Sequence, residues 1–241
     1  MSKNKIIIIG GSGSIGSSIA KEVKSQGLEP HLIGRNITSL KSVSAELNCL
    51  YDIVDVTNTT KLKECLTSYS DNVYGLVYCV GSINLKSINL VNEDDYIESF
   101  KINTVGAALS IKYLKDVLKK NNGSILLFSS IAAQQGFVNH SIVSSSKGAI
   151  EGLTLSLAAE LSPHIRVNCI APSLTESNMT KKIISNEKIK QAIENMHPIP
   201  KLGIPDDYSK LSAFLLSKHN KWITGQIINI DGGRSKIRKK D

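Results

Sequence analysis

Short apolar runs alternate with longer amphipathic stretches along the whole chain. The short runs predict strands, and the longer stretches, whose apolar positions recur every three or four residues, predict helices. The predicted strands are Lys5–Ile9, Glu29–Ile33, Leu50–Val54, Tyr74–Cys79, Ser124–Ser129, Arg166–Ala171 and Gln226–Ile230. The predicted helices lie near 14–26, 37–47, 58–69, 93–120, 142–161, 178–195 and 206–217.

Strands and helices alternate without a linker, a repeat or a low-complexity segment between them. The strands are almost continuously apolar, which is typical of strands that are covered on both faces. The pattern predicts a single doubly wound, Rossmann-like α/β domain over residues 1–233, with a mainly parallel seven-stranded sheet and helices on both faces. Ligands of such a sheet lie beyond the carboxyl ends of its strands.

The composition is that of a globular protein. The chain has 241 residues, of which 41% are hydrophobic, and this is enough for one α/β domain with a large core. No apolar run approaches the roughly 20 residues of a membrane helix, and the start M-S-K-N-K lacks a secretory signal. We therefore expect a cytoplasmic protein without a membrane partner. Four dispersed cysteines and five dispersed histidines favour neither a disulfide framework nor a metal site.

The formal net charge is +8, and part of the excess lies in R-S-K-I-R-K-K at 234–240. A nucleic-acid-binding surface would interleave basic and aromatic residues, but aromatic residues are only 5% of this chain. We therefore expect no nucleic-acid partner, and we expect residues 234–241 to form a flexible basic tail. A milder alternative is that the positive field attracts a phosphorylated cofactor or an anionic substrate.

The first predicted strand runs into a glycine-rich turn, I-I-I-I-G-G-S-G-S-I-G at 6–16. Glycines allow the backbone to turn sharply and to approach a pyrophosphate, while free N–H groups at the start of the next helix face the phosphates. The turn therefore predicts a dinucleotide site. Its candidate binding residues are Gly10, Ser12, Gly13, Ser14, Ile15 and Gly16.

The end of the second predicted strand indicates which dinucleotide binds. An acidic residue at this point would hold the ribose hydroxyls of NAD, but this chain has Gly34 followed by Arg35. A guanidinium can bind a 2′-phosphate, and there is no carboxylate to repel one. We therefore expect NADP(H), with NAD(H) second. The alternative is that Arg35 is an exposed loop residue without this role.

Several motifs resemble those of the short-chain dehydrogenase/reductase family, in family order and spacing over nearly the whole chain. They are the glycine turn, V-D-V-T at 54–57, the glycine of Y-C-V-G at 78–81, R-V-N-C-I-A-P-S-L-T-E-S-N-M-T at 166–180 and W-I-T-G-Q-I-I-N-I-D-G-G at 222–233. The resemblance implies that Asp55 and Val56 lie at the adenine pocket. It also implies that Gly81, Pro172 and Ser177 line the rest of the cofactor site, with Ser177 at the nicotinamide carboxamide.

The resemblance implies two features outside the cofactor site. Residues 178–200 would form a substrate lid, a segment that varies freely in sequence. The helices near 93–120 and 142–161 would form a homodimer or homotetramer. Apolar positions on the second helix leave enough surface for both the sheet and a partner, namely Ile142, Ile150, Leu153, Leu157 and Leu161.

The resemblance also identifies candidate catalytic residues. The family uses an asparagine, a serine, a tyrosine and a lysine, and this chain has Asn103, Ser130 and Lys147 at three of these positions. In the family, the lysine lowers the pKa of the tyrosine from the same helix face, and the phenol exchanges a proton with the substrate. The tyrosine position, four residues before the lysine, holds Val143, which has no proton to donate.

His140 is a candidate substitute for the missing proton donor. It stands seven residues before Lys147, where the enoyl reductase branch of the family has its tyrosine. An imidazole can donate a proton near neutral pH. The alternatives are that His140 is only a loop residue before the helix, or that the proton comes from the substrate or from bound water.

Two functions remain open. One is an NADP-dependent oxidoreductase that acts on a small carbonyl, alcohol or enoyl substrate with an unusual proton donor, which the retained Asn103, Ser130 and Lys147 favour. The other is a catalytically inactive NADP-binding protein with a regulatory or scaffold role. Val143 favours this second function, as does Ser173, which stands where the family has a glycine.

Overall fold

The computed structural model describes residues 4–238 and shows one parallel sheet. Its strands are β1 (Lys5–Ile9), β2 (Glu29–Gly34), β3 (Leu50–Ile53), β4 (Val73–Tyr78), β5 (Ser124–Phe128), β6 (Arg166–Pro172) and β7 (Ile227–Ile230). They lie in the order β3-β2-β1-β4-β5-β6-β7, and every neighbouring pair is parallel. The winding reverses between β1 and β4, which opens a crevice at the carboxyl ends of these strands.

Helices cover both faces of the sheet. They are α1 (Ser14–Ser25), α2 (Ile37–Leu47), α3 (Thr59–Thr67), α4 (Glu93–Phe100), α5 (Gly106–Lys120), α6 (Ser141–Leu161), α7 (Glu187–Glu194) and α8 (Asp206–Leu216). Successive strand residues point to opposite faces. Ile7 and Ile9 therefore share a core with α3, α5 and α6, and Ile6 and Ile8 share a second core with α1, α2 and α8. The predicted Rossmann-like α/β fold is confirmed.

The predicted helix over 93–120 is interrupted by a π-helical turn, Lys101–Val105. The hydroxyl of Tyr78 on β4 donates to the carbonyl of Ile102, which an uninterrupted α-helix would use to bond the amide of Gly106. Asn103 lies in this turn and is fully buried. π-helical turns of this kind are frequent at functional sites.

The prediction of a helix over 178–195 is wrong for residues 178–186. Residues 178–186 form turns, and the helix α7 begins only at Glu187. The side chain of Asn186 accepts hydrogen bonds from the first amides of α7, which sets the start of the helix there. Before it, the hydroxyl of Thr180 donates to the carbonyl of Thr175, a local bond that competes with helix formation.

The described part of the C-terminal segment lies against the domain. The guanidinium of Arg234 is 4.8 Å from the ring centre of Phe137, and the amide of Ser235 donates to Asp231 at 2.8 Å. The predicted flexible tail also includes residues 239–241, which lie outside the described residues. Within residues 4–238, no helix is both long and apolar enough to cross a membrane.

The apolar positions of α6 pack within the chain itself. Ile142 and Ile150 are almost completely buried, and Leu153, Leu157 and Leu161 pack against the core cluster of α3, α5 and α6. These side chains therefore stabilise the monomer fold. The homodimer or homotetramer stays a prediction.

Candidate functional site

The glycine turn closes tightly on itself after β1. Gly10 has a φ of +86°, and the amide of Gly13 donates to the Gly10 carbonyl at 2.9 Å. A methyl group on Gly16 would lie only 2.3 Å from that carbonyl oxygen. The turn therefore needs glycine at both Gly10 and Gly16. It presents the start of α1, whose first turn carries no acidic side chain, to the crevice.

Two serines connect the glycine turn to its neighbours. The hydroxyl of Ser12 accepts from the hydroxyl of Ser39, near the start of α2, at 3.1 Å. The hydroxyl of Ser14 lies 3.4 Å from the amide of Asn178. The segment that contains Ser177 and the predicted lid therefore reaches the glycine turn.

Arg35 and Asp55 meet at the carboxyl ends of β2 and β3. Their side-chain N and O atoms lie 3.5 Å apart, and the side chain of Arg35 is 76% exposed. Hydrogen bonds from Thr57, with the Arg35 guanidinium nearby, hold the pKa of Asp55 below its ordinary value. Val56, next to Asp55, is buried. The expectation that no carboxylate lies beside Arg35 is therefore wrong, because folding brings Asp55 to it from the end of β3. The guanidinium is oriented by this carboxylate but is still accessible to a ligand.

Asn103, Lys147 and Gly81 converge at the end of β4. A methyl group on Gly81 would lie 3.3 Å from both the Oδ1 of Asn103 and the Nζ of Lys147. The amide nitrogen of Asn103 donates to the Ser99 carbonyl at 2.9 Å, but its Oδ1 is buried and accepts no hydrogen bond from the described residues. A buried acceptor without a partner is unusual, and a ligand that donates a hydrogen bond at this position would satisfy it.

Lys147 is a buried amine with an altered pKa. Its side chain extends from α6 into the core, and Nζ donates to the Phe128 carbonyl at the end of β5, at 2.9 Å. Burial lowers the pKa of Lys147 to about 8, because the charged form is desolvated. The amine is therefore an ammonium at neutral pH that can lose its proton in the mildly alkaline range.

Ser130 and Pro172 lie side by side at the ends of β5 and β6. The hydroxyl of Ser130 accepts from the amide of Ala132 at 3.2 Å and lies 3.5 Å from the Pro172 carbonyl oxygen. Ser130 is only partly buried. Its hydroxyl is therefore held at the same edge of the sheet as Gly81 and Lys147, where a ligand in the crevice would reach it.

Val143 and His140 lie at the start of α6. Val143 is buried, at 6% exposure, one turn before Lys147. The Nδ1 of His140 lies 2.7 Å from the Val138 carbonyl oxygen. Its ring lines a cavity of about 600 Å³ between residues 86–88 and 132–144. Among the described residues, no hydrogen bond joins His140 to Ser130 or to Lys147.

Sequence reasoning missed the residues that hold these groups in place. Ser99, one helical turn before Asn103, accepts from its amide, and the spacing of four was a usable signal. The hydroxyl of Ser129 lies 2.9 Å from Glu151 and 3.1 Å from the Lys147 carbonyl, and so ties α6 to the end of β5. Nothing in the local sequence indicated that Ser129 would contact α6.

A further polar pair was also missed. The Oγ of Ser173 lies 2.8 Å from the Nε2 of His197. Ser173 follows β6, and His197 follows α7 in the segment predicted to form the lid. The two residues are 24 positions apart, so no spacing rule links them in the sequence.

Comparisons with known proteins identify relatives of this chain. A family model described as enoyl-(acyl carrier protein) reductase matches residues 10–235. The chain is 33% identical over 232 residues to the 3-oxoacyl-[acyl-carrier-protein] reductase FabG of Rickettsia typhi, covering 94% of this chain and 95% of that protein. It is 28% identical over 240 residues to a chloroplastic tropinone reductase homolog of Arabidopsis thaliana, covering 95% and 74% of the two chains.

Solved structures share the fold over nearly the full length. A short-chain type dehydrogenase/reductase from Mycobacterium ulcerans has a TM-score of 0.91 at 26% identity, covering 100% of this chain and 94% of that one. ElxO, in a structure with NADP bound, has a TM-score of 0.88 at 27% identity, covering 97% and 99%. The chain therefore belongs to the short-chain dehydrogenase/reductase family of oxidoreductases.

Proposed function

We propose that this protein is an NADP-dependent oxidoreductase that transfers hydride to or from a small carbonyl or alcohol substrate, with a proton donor other than residue 143. The observation that carries the proposal is the meeting of two buried polar atoms beside Gly81, because Lys147 Nζ and the unpartnered Oδ1 of Asn103 both lie 3.3 Å from the position of an added Cβ. A ligand hydroxyl at this meeting point would accept from the ammonium and donate to the amide oxygen. The names of the FabG and tropinone reductase relatives support a carbonyl substrate.

The crevice fits a nicotinamide dinucleotide. A pyrophosphate would bind the free N–H groups at the start of α1, and the glycine turn that presents them could not close with a Cβ at Gly16, which would clash with the Gly10 carbonyl. Asp55 and Val56 would hold the adenosine end, and Lys147 the nicotinamide ribose. Three further residues would line the nicotinamide end, namely Gly81, Pro172 and Ser177. When bound, the cofactor supplies the hydride, and the NADP in the related ElxO structure supports this assignment.

Arg35→Ala is expected to weaken NADPH binding by about tenfold or more and to leave NADH binding nearly unchanged. The reason is that one charge-assisted hydrogen bond contributes about 1.5–3 kcal/mol, and only NADPH carries the 2′-phosphate that Arg35 would bind. Fluorescence titration of both cofactors measures the effect, with NADH as the internal control. A uniform loss for both cofactors, or no loss, would contradict the proposed role.

Val143→Tyr tests whether the natural protein has its own proton donor. We expect the natural protein to oxidise NADPH with 3-oxoacyl thioesters or simple ketones, and Val143→Tyr to be no faster. The matched control is Val143→Phe, which adds the same ring without the hydroxyl and so separates crowding at a buried site from proton transfer. Initial rates at saturating NADPH provide the comparison.

The second candidate function makes the opposite prediction. A catalytically inactive NADP-binding protein would bind NADPH and show turnover only as Val143→Tyr, with Val143→Phe inactive. The observation that favours it is the buried aliphatic side chain of Val143 next to an otherwise complete set of Asn103, Ser130 and Lys147. Turnover by the natural protein rejects this function.

A further inference from the structure

Arg234 lies between two segments that follow strands at the carboxyl edge of the sheet. Its guanidinium is 4.8 Å from the ring centre of Phe137, in the segment 131–140 that follows β5. Its Nη2 lies 3.3 Å from the sulfur of Met196, which follows α7 in the predicted substrate lid. One cation therefore contacts both segments, and a guanidinium over an aromatic face is a favourable arrangement.

The backbone of Arg234 is anchored on both sides. Its amide donates to the Asp231 carbonyl at 3.2 Å, and the amide of Ser235 donates to the Asp231 carboxylate at 2.8 Å. The Arg234 carbonyl accepts from the side chain of Gln135 at 3.4 Å. Arg234 is half-buried, and this burial lowers the pKa of its guanidinium. Because a guanidinium stays charged at neutral pH, Phe137 contacts a partly desolvated cation.

Hydrogen bonds between side chains connect the same part of the chain to the segment after β5. The side-chain nitrogen of Asn229 lies 2.7 Å from the Ser235 hydroxyl and donates to Gln134 at 2.9 Å. Gln134 in turn donates to Glu151 on α6 at 2.9 Å. Residues 229–235 thus hold the segment 131–140 through polar side chains as well as through Phe137.

Phe137 forms part of the wall of the cavity of about 600 Å³ beside the start of α6. Its ring centre is 5.3 Å from that of His140, which lines the same cavity. Ser141, also in the wall, has a buried Oγ without a hydrogen-bond partner among the described residues. A ligand in the cavity would satisfy this atom. The wall residue Ala132 donates its amide to Ser130 Oγ, so the cavity lies next to a candidate catalytic residue.

The segment that contains Met196 borders the cofactor crevice. It begins after β6, and the amide of Asn178 lies 3.4 Å from the hydroxyl of Ser14 in the glycine turn. Arg234 therefore joins one wall of the cavity to a segment that reaches the predicted cofactor site.

We propose that Arg234 is a positioning residue for the substrate, because it holds the segment 131–140 and the lid in one closed arrangement around the cavity. The inference rests on the proposed reductase function. Without the cation, Phe137 and Met196 lose their common partner, and some of the molecules adopt an open arrangement that does not bind the substrate. The apparent affinity then falls in proportion to the closed fraction, while the rate of the substrate-saturated protein is unchanged.

The test compares Arg234→Met and Arg234→Lys with the natural protein. Methionine keeps an apolar chain without the charge, whereas lysine keeps the cation. In Arg234→Met, we expect KM for the 3-oxoacyl thioester or ketone to rise by about three- to thirtyfold, the range that one cation–π contact contributes. We expect kcat and NADPH affinity to change by less than about twofold. Arg234→Lys should restore most of the natural KM. The matched control is Arg238→Met, at an exposed arginine, which should behave like the natural protein.

A double-mutant cycle shows whether Arg234 acts through Phe137. Phe137→Leu removes the aromatic face, keeps an apolar side chain and should raise KM by a similar factor. If the two residues act together, the variant with both Arg234→Met and Phe137→Leu has nearly the KM of each single variant. If the two effects on KM multiply instead, Arg234 does not act through Phe137 and the inference is overturned.

Hydrogen exchange of the ligand-free protein tests the same contacts without turnover. The amides of residues 131–140 and 187–199 should exchange faster in Arg234→Met than in the natural protein, because both segments lose a partner. The amides of α1 should exchange at the same rate in both proteins, and thermal unfolding confirms that each variant is folded. Unchanged exchange in the two segments would show that Arg234 does not hold them, and the inference would be wrong.

The outcomes separate this inference from the proposed function. If the natural protein reduces a carbonyl substrate and Arg234→Met has an unchanged KM, the inference is wrong and the proposed function stands. If kcat and NADPH affinity fall together with KM, Arg234 has only a structural role, and the inference is again overturned. If the natural protein binds NADPH but reduces no carbonyl substrate, the proposed function fails and the inference fails with it.

Discussion

Lys147→Met is expected to make the ligand-free protein more stable at pH 7 and to weaken its binding of NADPH. The natural lysine keeps a desolvated ammonium in the core, and its pKa falls from 10.5 to about 8. A shift of this size corresponds to about 3 kcal/mol of destabilisation at neutral pH. Loss of the charged hydrogen bond to the Phe128 carbonyl offsets about 1.5–3 kcal/mol of this gain, so the net stabilisation should be small.

The pH dependence identifies the cause of that stabilisation. Between pH 8 and 10.5 the unfolded chain keeps the lysine proton that the folded protein has lost, so the free energy of unfolding of the natural protein rises with pH. Below pH 8 the lysine is protonated in both the folded and the unfolded protein, so the full destabilisation by the buried ammonium remains. Lys147→Met should lack this rise, so the two stability curves converge as pH approaches 10.5. Urea unfolding at several pH values measures the free energy of unfolding of both proteins. If their two pH curves stayed parallel, the buried ammonium of Lys147 would not be the cause of the difference in stability.

The effect of Lys147→Met on cofactor binding has the opposite sign. The ammonium is the one cation that the structure places beside Gly81 and Asn103, within the described residues. Its loss should raise the dissociation constant of NADPH by about tenfold or more, the expected effect of one charged hydrogen bond. Fluorescence titration at pH 7 tests this. A more stable variant with undiminished NADPH affinity would separate Lys147 from the cofactor site.

Gly16→Ala is expected to disrupt the dinucleotide site through the backbone. The added Cβ would lie 2.3 Å from the Gly10 carbonyl oxygen and 2.9 Å from the Cα of Gly11. Backbone atoms cannot move away by changing rotamer, so the turn itself must shift. We expect a loss of about 1–3 kcal/mol of stability. We also expect NADPH affinity to fall by about a hundredfold, equivalent to about 3 kcal/mol.

The matched control for this change is Gly152→Ala. Gly152 lies inside α6, and a methyl group there meets no atom within 4 Å. Alanine should therefore stabilise the helix by about 0.4–1 kcal/mol, because it lowers the entropy of the unfolded chain, and NADPH binding should not change. Calorimetric melting and titration of both variants make the comparison. Similar NADPH affinities in the two variants would show that the glycine turn is not the binding site.

Most elements could be predicted because their signals are local. The isoleucine run of β1 and the amphipathic pattern of α1 each appear within a dozen residues. The predictions failed where a distant contact decides the backbone. The Tyr78 hydroxyl donates to the carbonyl of Ile102, where the π-helical turn replaces the predicted α-helix. The Thr180 hydroxyl donates to the carbonyl of Thr175, where turns precede α7. Neither competing bond is visible in the hydrophobic pattern.

The sequence by itself determined the parallel sheet, the glycine turn and the absence of a proton donor at Val143, because residue type and short-range spacing are enough for these. Only the tertiary structure decided the pKa of Lys147, since burial causes the shift. The meeting of Asn103 with Lys147 and the pairing of Ser173 with His197 likewise depend on packing. These contacts join residues far apart in the chain, and only the packed sheet and its helices bring them together.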